Sequence, residues 1–173
     1  DRPFKYGLVI EGGTELIYKA DTANVTTDKQ GALNSLREVI DKRVNVFGVA
    51  HWMETLLPGM CERRRGILAV TSSLAGLRGI PGSGGYSASK AAVSTLVESL
   101  RPEAQAAGLQ LSLIEPGFIR SEMTDKNKFP MPFMVETADA VRLIADEVAE
   151  GEPLVRFPKP LAALMQLYRH LPG

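Results

Sequence analysis

Two short apolar runs, each ending on a sharp polar signal and separated by a long helix-periodic segment, constrain this chain more than any other feature. Gly66 to Val70 runs into Thr71, Ser72 and Ser73, and Leu109 to Ile114 runs into Glu115, Pro116 and Gly117. Both read as buried strands, while the segment from Tyr86 carries Ala91, Val93, Leu96, Val97 and Leu100 at helical spacing. A strand, a helix and a second strand in that order predict a parallel crossover unit. Open parallel sheets bind their ligands beyond the carboxyl ends of the strands, so Ser73 and the Pro116-Gly117 turn fall where a ligand would lie.

The helix between them begins Tyr86-Ser87-Ala88-Ser89-Lys90, which puts a phenol and an ammonium on one face, one turn apart. A free tyrosine titrates near pH ~10. A fixed cation close by favours the phenolate and would bring Tyr86 toward acid–base chemistry near neutrality. Taken alone, such a pair is also an ordinary helix-surface contact. Ser73 upstream and the Pro116-Gly117 turn downstream, both at strand ends, tilt the reading toward a site.

Ser73, the Tyr86 to Lys90 motif, the Ser72-Ser73-Leu74-Ala75-Gly76 turn and the run Glu115-Pro116-Gly117-Phe118-Ile119-Arg120-Ser121 together resemble the short-chain dehydrogenase/reductase family. The match runs from about Arg43 to Thr124, roughly half the chain. The resemblance implies a three-layer Rossmann-type α/β fold with a mostly parallel sheet, and an NAD(P)-dependent oxidoreductase interconverting an alcohol and a carbonyl. It implies catalytic roles for Asn45, Ser73, Tyr86 and Lys90: Tyr86 as general acid/base, Ser73 on the reacting oxygen, Lys90 on the Tyr86 hydroxyl and the nicotinamide ribose, and Asn45 in the proton path. It further implies cofactor contacts from Tyr86, Lys90, Pro116, Gly117, the Ile119 backbone and the Ser121 hydroxyl, where the family usually has Thr. NAD and NADP stay open, because the discriminating residues follow the first two strands.

The amino-terminal side departs from that pattern. Gly7 to Ile10 reads as a strand leading into Glu11-Gly12-Gly13-Thr14, an ordinary turn or the remnant of a phosphate loop, and residues 21–41 read as a polar turn and an amphipathic helix through Leu33, Leu36, Val39 and Ile40. A βαβ unit needs roughly 30 or more residues, and the family pattern requires several such steps before Asn45. The amino-terminal half of the nucleotide site is therefore expected to be reduced or missing. The rival reading follows from this: a dehydrogenase-derived, non-catalytic oligomerisation or interaction module that cannot hold a dinucleotide.

Composition sets the outer bounds. With 173 residues, 45% of them apolar, the expectation is one domain over 1–173. Twenty basic residues against 20 acidic ones leave no electrostatic footprint for nucleic acid. The single Cys61 and two histidines supply neither an internal disulfide nor a metal cluster, so no metal is expected and a cytoplasmic setting is the default. No apolar run is long enough for a membrane span, and Asp1-Arg2-Pro3-Phe4-Lys5 is not a signal peptide.

The remaining elements follow in order. A helix is expected from Val44 to Pro58-Gly59, and Pro102 should end or kink the helix that starts at Tyr86. Residues 126–134 form an apolar loop suited to a lid over a small apolar substrate, or to packing on the core. A helix over 137–150 has Thr137 as its cap and Ala140, Val141, Ile144 and Val148 as its stripe. Leu154 to Phe157 reads as a strand, and Leu161 to Leu171 as a terminal helix for packing or subunit contact. Trp52 and Met53 on one helix, with Val93, Leu96 and Val97 on another, exceed what one sheet face covers, which predicts a homodimer or homotetramer.

Overall fold

The strand Gln110–Pro116 has five consecutive buried residues, from Leu111 to Glu115, as a strand covered on both faces must. The computed structural model describes residues 8–11, 15–18, 43–125 and 129–171, and the chain divides into two compact units, Asp1–Val39 and Ile40–Gly173. In the first unit β1 (Leu8–Glu11) pairs antiparallel with β2 (Glu15–Tyr18). In the second, β3 (Ile67–Thr71), β4 (Gln110–Pro116) and β5 (Leu154–Phe157) form a parallel sheet in the order β3-β4-β5. Helices α1 (Val49–Arg63), α2 (Gly84–Ala106), α3 (Glu122–Asp125), α4 (Thr137–Ala149) and α5 (Lys159–His170) complete it.

Period-two alternation along β4 sorts its side chains between two cores. Leu111 and Leu113 join Val70 of β3 with Met53 of α1 and Val93 and Val97 of α2. Ile114 joins Val155 and Phe157 of β5 with Ala140 of α4. Helices thus lie on both faces of the sheet, and the expected three-layer parallel α/β arrangement is present. A third cluster, Leu74 with Leu161 and Ala162, packs α5 beneath the turn after β3.

The structure corrects several expectations. The strand ending near Ser73 is covered on one face only: Val70 is buried, but Ile67, Ala69 and Thr71 are exposed, because α1 and α2 cover only the Leu68 and Val70 side. Neither proline ends its helix. α1 continues past Pro58 to Arg63, burying Met60 and Cys61 against the core, and closes on Arg64 in the left-handed conformation. α2 runs through Pro102 to Ala106, with Leu100 and Ala104 packed on either side of it. The residues four positions before the prolines, Glu54 and Glu98, are exposed, so water can serve their carbonyls.

Three further differences concern side chains. Thr137 is the first residue of α4 rather than its cap, and its hydroxyl donates to the Arg120 carbonyl. Val141 points to solvent, and Leu143 takes its place against the core. Met53, Val93 and Val97 are inside this chain's own core and are not surplus surface, whereas Trp52 is 65% exposed. The helix expected over residues 21–41, the Gly12-Gly13 turn and residues 126–128 of the loop lie outside the described residues. Among the described residues no helix is long and apolar enough to cross a membrane.

Candidate active site at the carboxyl edge of the sheet

β3 ends at Thr71, and the next three residues turn the chain across the sheet edge. Ser73 is extended and caps a tight turn over Leu74–Gly76, its hydroxyl oxygen accepting the Ala75 N–H at 3.2 Å. The same hydroxyl donates to the Pro116 carbonyl at 3.4 Å, joining the end of β3 to the end of β4. Ser72 is buried, and its hydroxyl donates to the Lys90 carbonyl at 2.8 Å. Gly76 permits this approach: a Cβ there would sit 2.9 Å from both the Lys90 carbonyl carbon and the Ala91 nitrogen.

α2 begins two residues before Tyr86 and so carries Tyr86 and Lys90 on successive turns of its first part. Lys90 Nζ lies 5.8 Å from the centre of the Tyr86 ring and 3.5 Å from the Thr71 carbonyl oxygen. Tyr86 is 38% exposed, so its ring is open at the edge of the sheet. Asn45 lies in a π-helical turn, Arg43–Gly48, that leads into α1, a widened geometry often found at functional sites. Its side-chain amide donates to the Ser89 hydroxyl at 3.3 Å, and Ser89 donates to the Tyr86 carbonyl at 2.8 Å. Asn45, Tyr86 and Lys90 are thereby linked through α2, and Ser73 enters from β3.

After β4, the Gly117 N–H donates to the Phe157 carbonyl at 2.7 Å. A Cβ on Gly117 would meet Leu161 at 2.7 Å, so glycine lets this turn rest on α5. Ile119 then forms an isolated parallel bridge with Val135. Its neighbours make the bonds: Arg120 N–H donates to Val135 O and Val135 N–H donates to Phe118 O, so the peptide groups of Ile119 itself face away from Val135. Ser121 is exposed, with its hydroxyl 3.3 Å from that of Thr124. Arg120 pairs with Glu136 at 2.8 Å, and this bond and charge raise the guanidinium pKa above its ordinary value. Phe118 and Phe129 meet with ring centres 6.1 Å apart.

Sequence reasoning missed a buried polar group beneath the site. Glu115 is 1% exposed, faces Arg156 directly across the β4–β5 register, and accepts from its guanidinium at 2.5 Å. The other carboxylate oxygen accepts from Ser94 of α2 at 2.8 Å. The available signal was one charge in each of two otherwise uncharged strands.

Comparison with known proteins agrees with this fold. An uncharacterized oxidoreductase of Myxococcus xanthus is 43% identical over 163 residues, 94% of this chain and 64% of that protein. The crystal structure of a short-chain dehydrogenase from Burkholderia cenocepacia in complex with NADP superposes with a TM-score of 0.66 at 21% identity, over 82% of this chain and 56% of that one, and so speaks for the fold. A short-chain dehydrogenase/reductase from Burkholderia phymatum in complex with NAD gives 0.61 at 26% identity, over 72% and 54%. The chain thus spans little more than half to just under two-thirds of these proteins. The sequence profile of the short chain dehydrogenases matches residues 16–130. With that profile on most of the chain and a parallel α/β sheet carrying the motif residues at its carboxyl edge, this chain belongs to the short-chain dehydrogenase family.

Proposed function

We propose that this chain carries the catalytic centre of an NAD(P)-dependent oxidoreductase that interconverts a small, apolar alcohol and the corresponding carbonyl. The observation that carries the reading is the Lys90 ammonium 5.8 Å from the Tyr86 ring at the carboxyl edge of a parallel sheet. A cation this close to the ring stabilises negative charge on its oxygen, and solvent at this open edge weakens the effect. What remains of it favours the Tyr86 phenolate.

In the forward and reverse reactions Tyr86 gives a proton to the carbonyl oxygen or takes one from the hydroxyl. Ser73 swings its hydroxyl from the long bond to Pro116 onto the reacting oxygen and supports the charge that develops there. Asn45, held to α2 through Ser89, keeps the amino-terminal turns of α2 and the proton path in register. The residues at this edge fit the nicotinamide end of a dinucleotide: Lys90 for ribose hydroxyls, the Ile119 N–H for an amide, its carbonyl already accepting from Thr124 at 2.8 Å, and the exposed Ser121 hydroxyl for a phosphate oxygen. When bound, the nicotinamide supplies or accepts the hydride. We read the protein as cytoplasmic, the setting a lone Cys61 favours.

Tyr86→Phe tests the assignment. Turnover should fall by about 100-fold or more, the contribution of a positioned acid–base group, with the unfolding midpoint unchanged. Turnover near the parent rate would remove Tyr86 from the mechanism. A second reading, a non-catalytic module, draws on one observation: Gly12-Gly13 is followed by the strand Glu15–Tyr18, where a phosphate loop would lead into a helix.

A further inference from the structure

The buried chain from Glu115 to Lys90 has no part in the proton chemistry above, and it reaches the backbone of the residue that controls it. Glu115 Oε2 is taken by Arg156, and Oε1 accepts from Ser94 at 2.8 Å. Ser94 has one proton to share between Glu115 and the Ser72 hydroxyl, 2.9 Å away, and Ser72 donates to the Lys90 carbonyl at 2.8 Å. Glu115, Ser94 and Ser72 are 1%, 9% and 2% exposed.

We propose that Glu115, acting through Ser94 and Ser72, is a positioning residue that sets where α2 presents Lys90 to Tyr86. The inference rests on the oxidoreductase reading and deepens it. A buried carboxylate paired with Arg156 is a poor device for stability alone, since an apolar pair of similar size commonly does as well or better. Its second oxygen is spent on α2, not on another strand. The contact falls one turn beyond Lys90 and passes back through Ser72 to the Lys90 peptide itself. Beside it, the Gly76 turn lies against the Lys90–Ala91 peptide, and the Lys90 ammonium reaches the Thr71 carbonyl. The backbone and the side-chain tip of Lys90 are therefore both referenced to the end of β3, and Glu115 references that end to β4 and β5. The charged group in contact with this chain is Arg156 from β5, while Lys90 meets it through its backbone carbonyl and turns its ammonium to the Thr71 carbonyl.

Protein labelled with carbon-13 at the tyrosine ring carbon bearing the hydroxyl tests this without requiring turnover. The Tyr86 signal is assigned by its loss in Tyr86→Phe and then titrated in the parent chain, Lys90→Ala, Ser94→Ala and Ser94→Thr. Lys90→Ala should move the Tyr86 midpoint upward, because the cation that favours the phenolate is gone. Ser94→Ala should move it upward by about half a pH unit, roughly threefold in the ionisation constant, and Ser94→Thr, which restores the hydroxyl, should return it. Alanine is the best helix former, so the substitution costs α2 no propensity. Glu115→Gln keeps the shape but removes an anion, which alone would lower the midpoint, so an upward shift in this variant reports lost positioning. A Tyr86 midpoint that moves in Lys90→Ala but stays put in both Ser94→Ala and Glu115→Gln would overturn the positioning role and leave the catalytic reading standing. A midpoint that Lys90→Ala itself fails to move would remove the Lys90–Tyr86 coupling, and this inference with it.

Discussion

At the scale of single residues, two glycines near the site make opposite predictions. Gly76 lies against backbone: the atoms a Cβ would meet at 2.9 Å belong to the Lys90 and Ala91 peptide, which cannot rotate aside. Gly76→Ala should therefore cost about 1–3 kcal/mol as overpacking, seen as a lower urea midpoint, and should displace Lys90 enough to depress turnover. Gly79 has nothing within 4 Å of an added Cβ and no left-handed backbone. Gly79→Ala should be neutral or stabilising by up to about 1 kcal/mol, because it restricts only the unfolded chain. An equal loss in both variants would show that the Gly76 approach is not a tight contact. The candidate catalytic residues were legible because their signal is local: Tyr86 and Lys90 share one helix face, and Ser73 closes an apolar run. Glu115 was not, since its partners Arg156 and Ser94 lie 41 and 21 positions away and meet it only once strand register and helix packing are set.

At the scale of elements, the strands β4 and β5 and the helices α2 and α4 followed from apolar period and from glycine stops, Gly108 and Gly151 both taking left-handed conformations as helix terminators. The prolines misled because local propensity and tertiary packing opposed one another, and packing won. Beyond Pro102, α2 still gains the burial of Ala104, and its last turns are tied down by Arg101, which donates to the carbonyls of Leu111 and Pro153 at 3.4 and 2.8 Å. The helix continues against a penalty of about 3 kcal/mol for an interior proline. Pro102→Ala should recover part of it, a net gain of about 1–2 kcal/mol after the freer unfolded chain is counted. Chemical denaturation measures this directly, and a destabilised variant would mean that the proline matches a bend the fold requires. The β1–β2 hairpin was illegible for another reason: a strand, a glycine turn and a few mixed residues fit a strand-to-helix step and a strand-to-strand step equally well.

At the scale of the whole molecule, two measurements bear on how the chain works. Val44, Phe47, Trp52 and Leu56 leave large apolar surfaces exposed along the approach to α1 and on α1 itself, Phe47 at 68% and Trp52 at 65%. We expect a second copy to cover them. Light scattering at micromolar concentration should give a dimer or tetramer that Trp52→Glu shifts toward monomer, and a strictly monomeric parent would oppose this. Titration with NADH and NADPH should give weak affinity, millimolar or poorer, because losing contacts at the adenosine end costs a factor of ten for every ~1.4 kcal/mol. Tight, saturable binding would instead show that residues 1–42 supply that half of the site. The Ile119–Val135 bridge has a consequence of its own. It pins the two ends of the segment between Ile119 and Val135 together, and the Arg120–Glu136 pair lies beside it, so the length of what lies between is uncoupled from the sheet. Doubling such a segment adds only about 0.6 kcal/mol of closure entropy. Descendants of this chain can therefore lengthen or shorten this segment while its two anchored ends stay as they are.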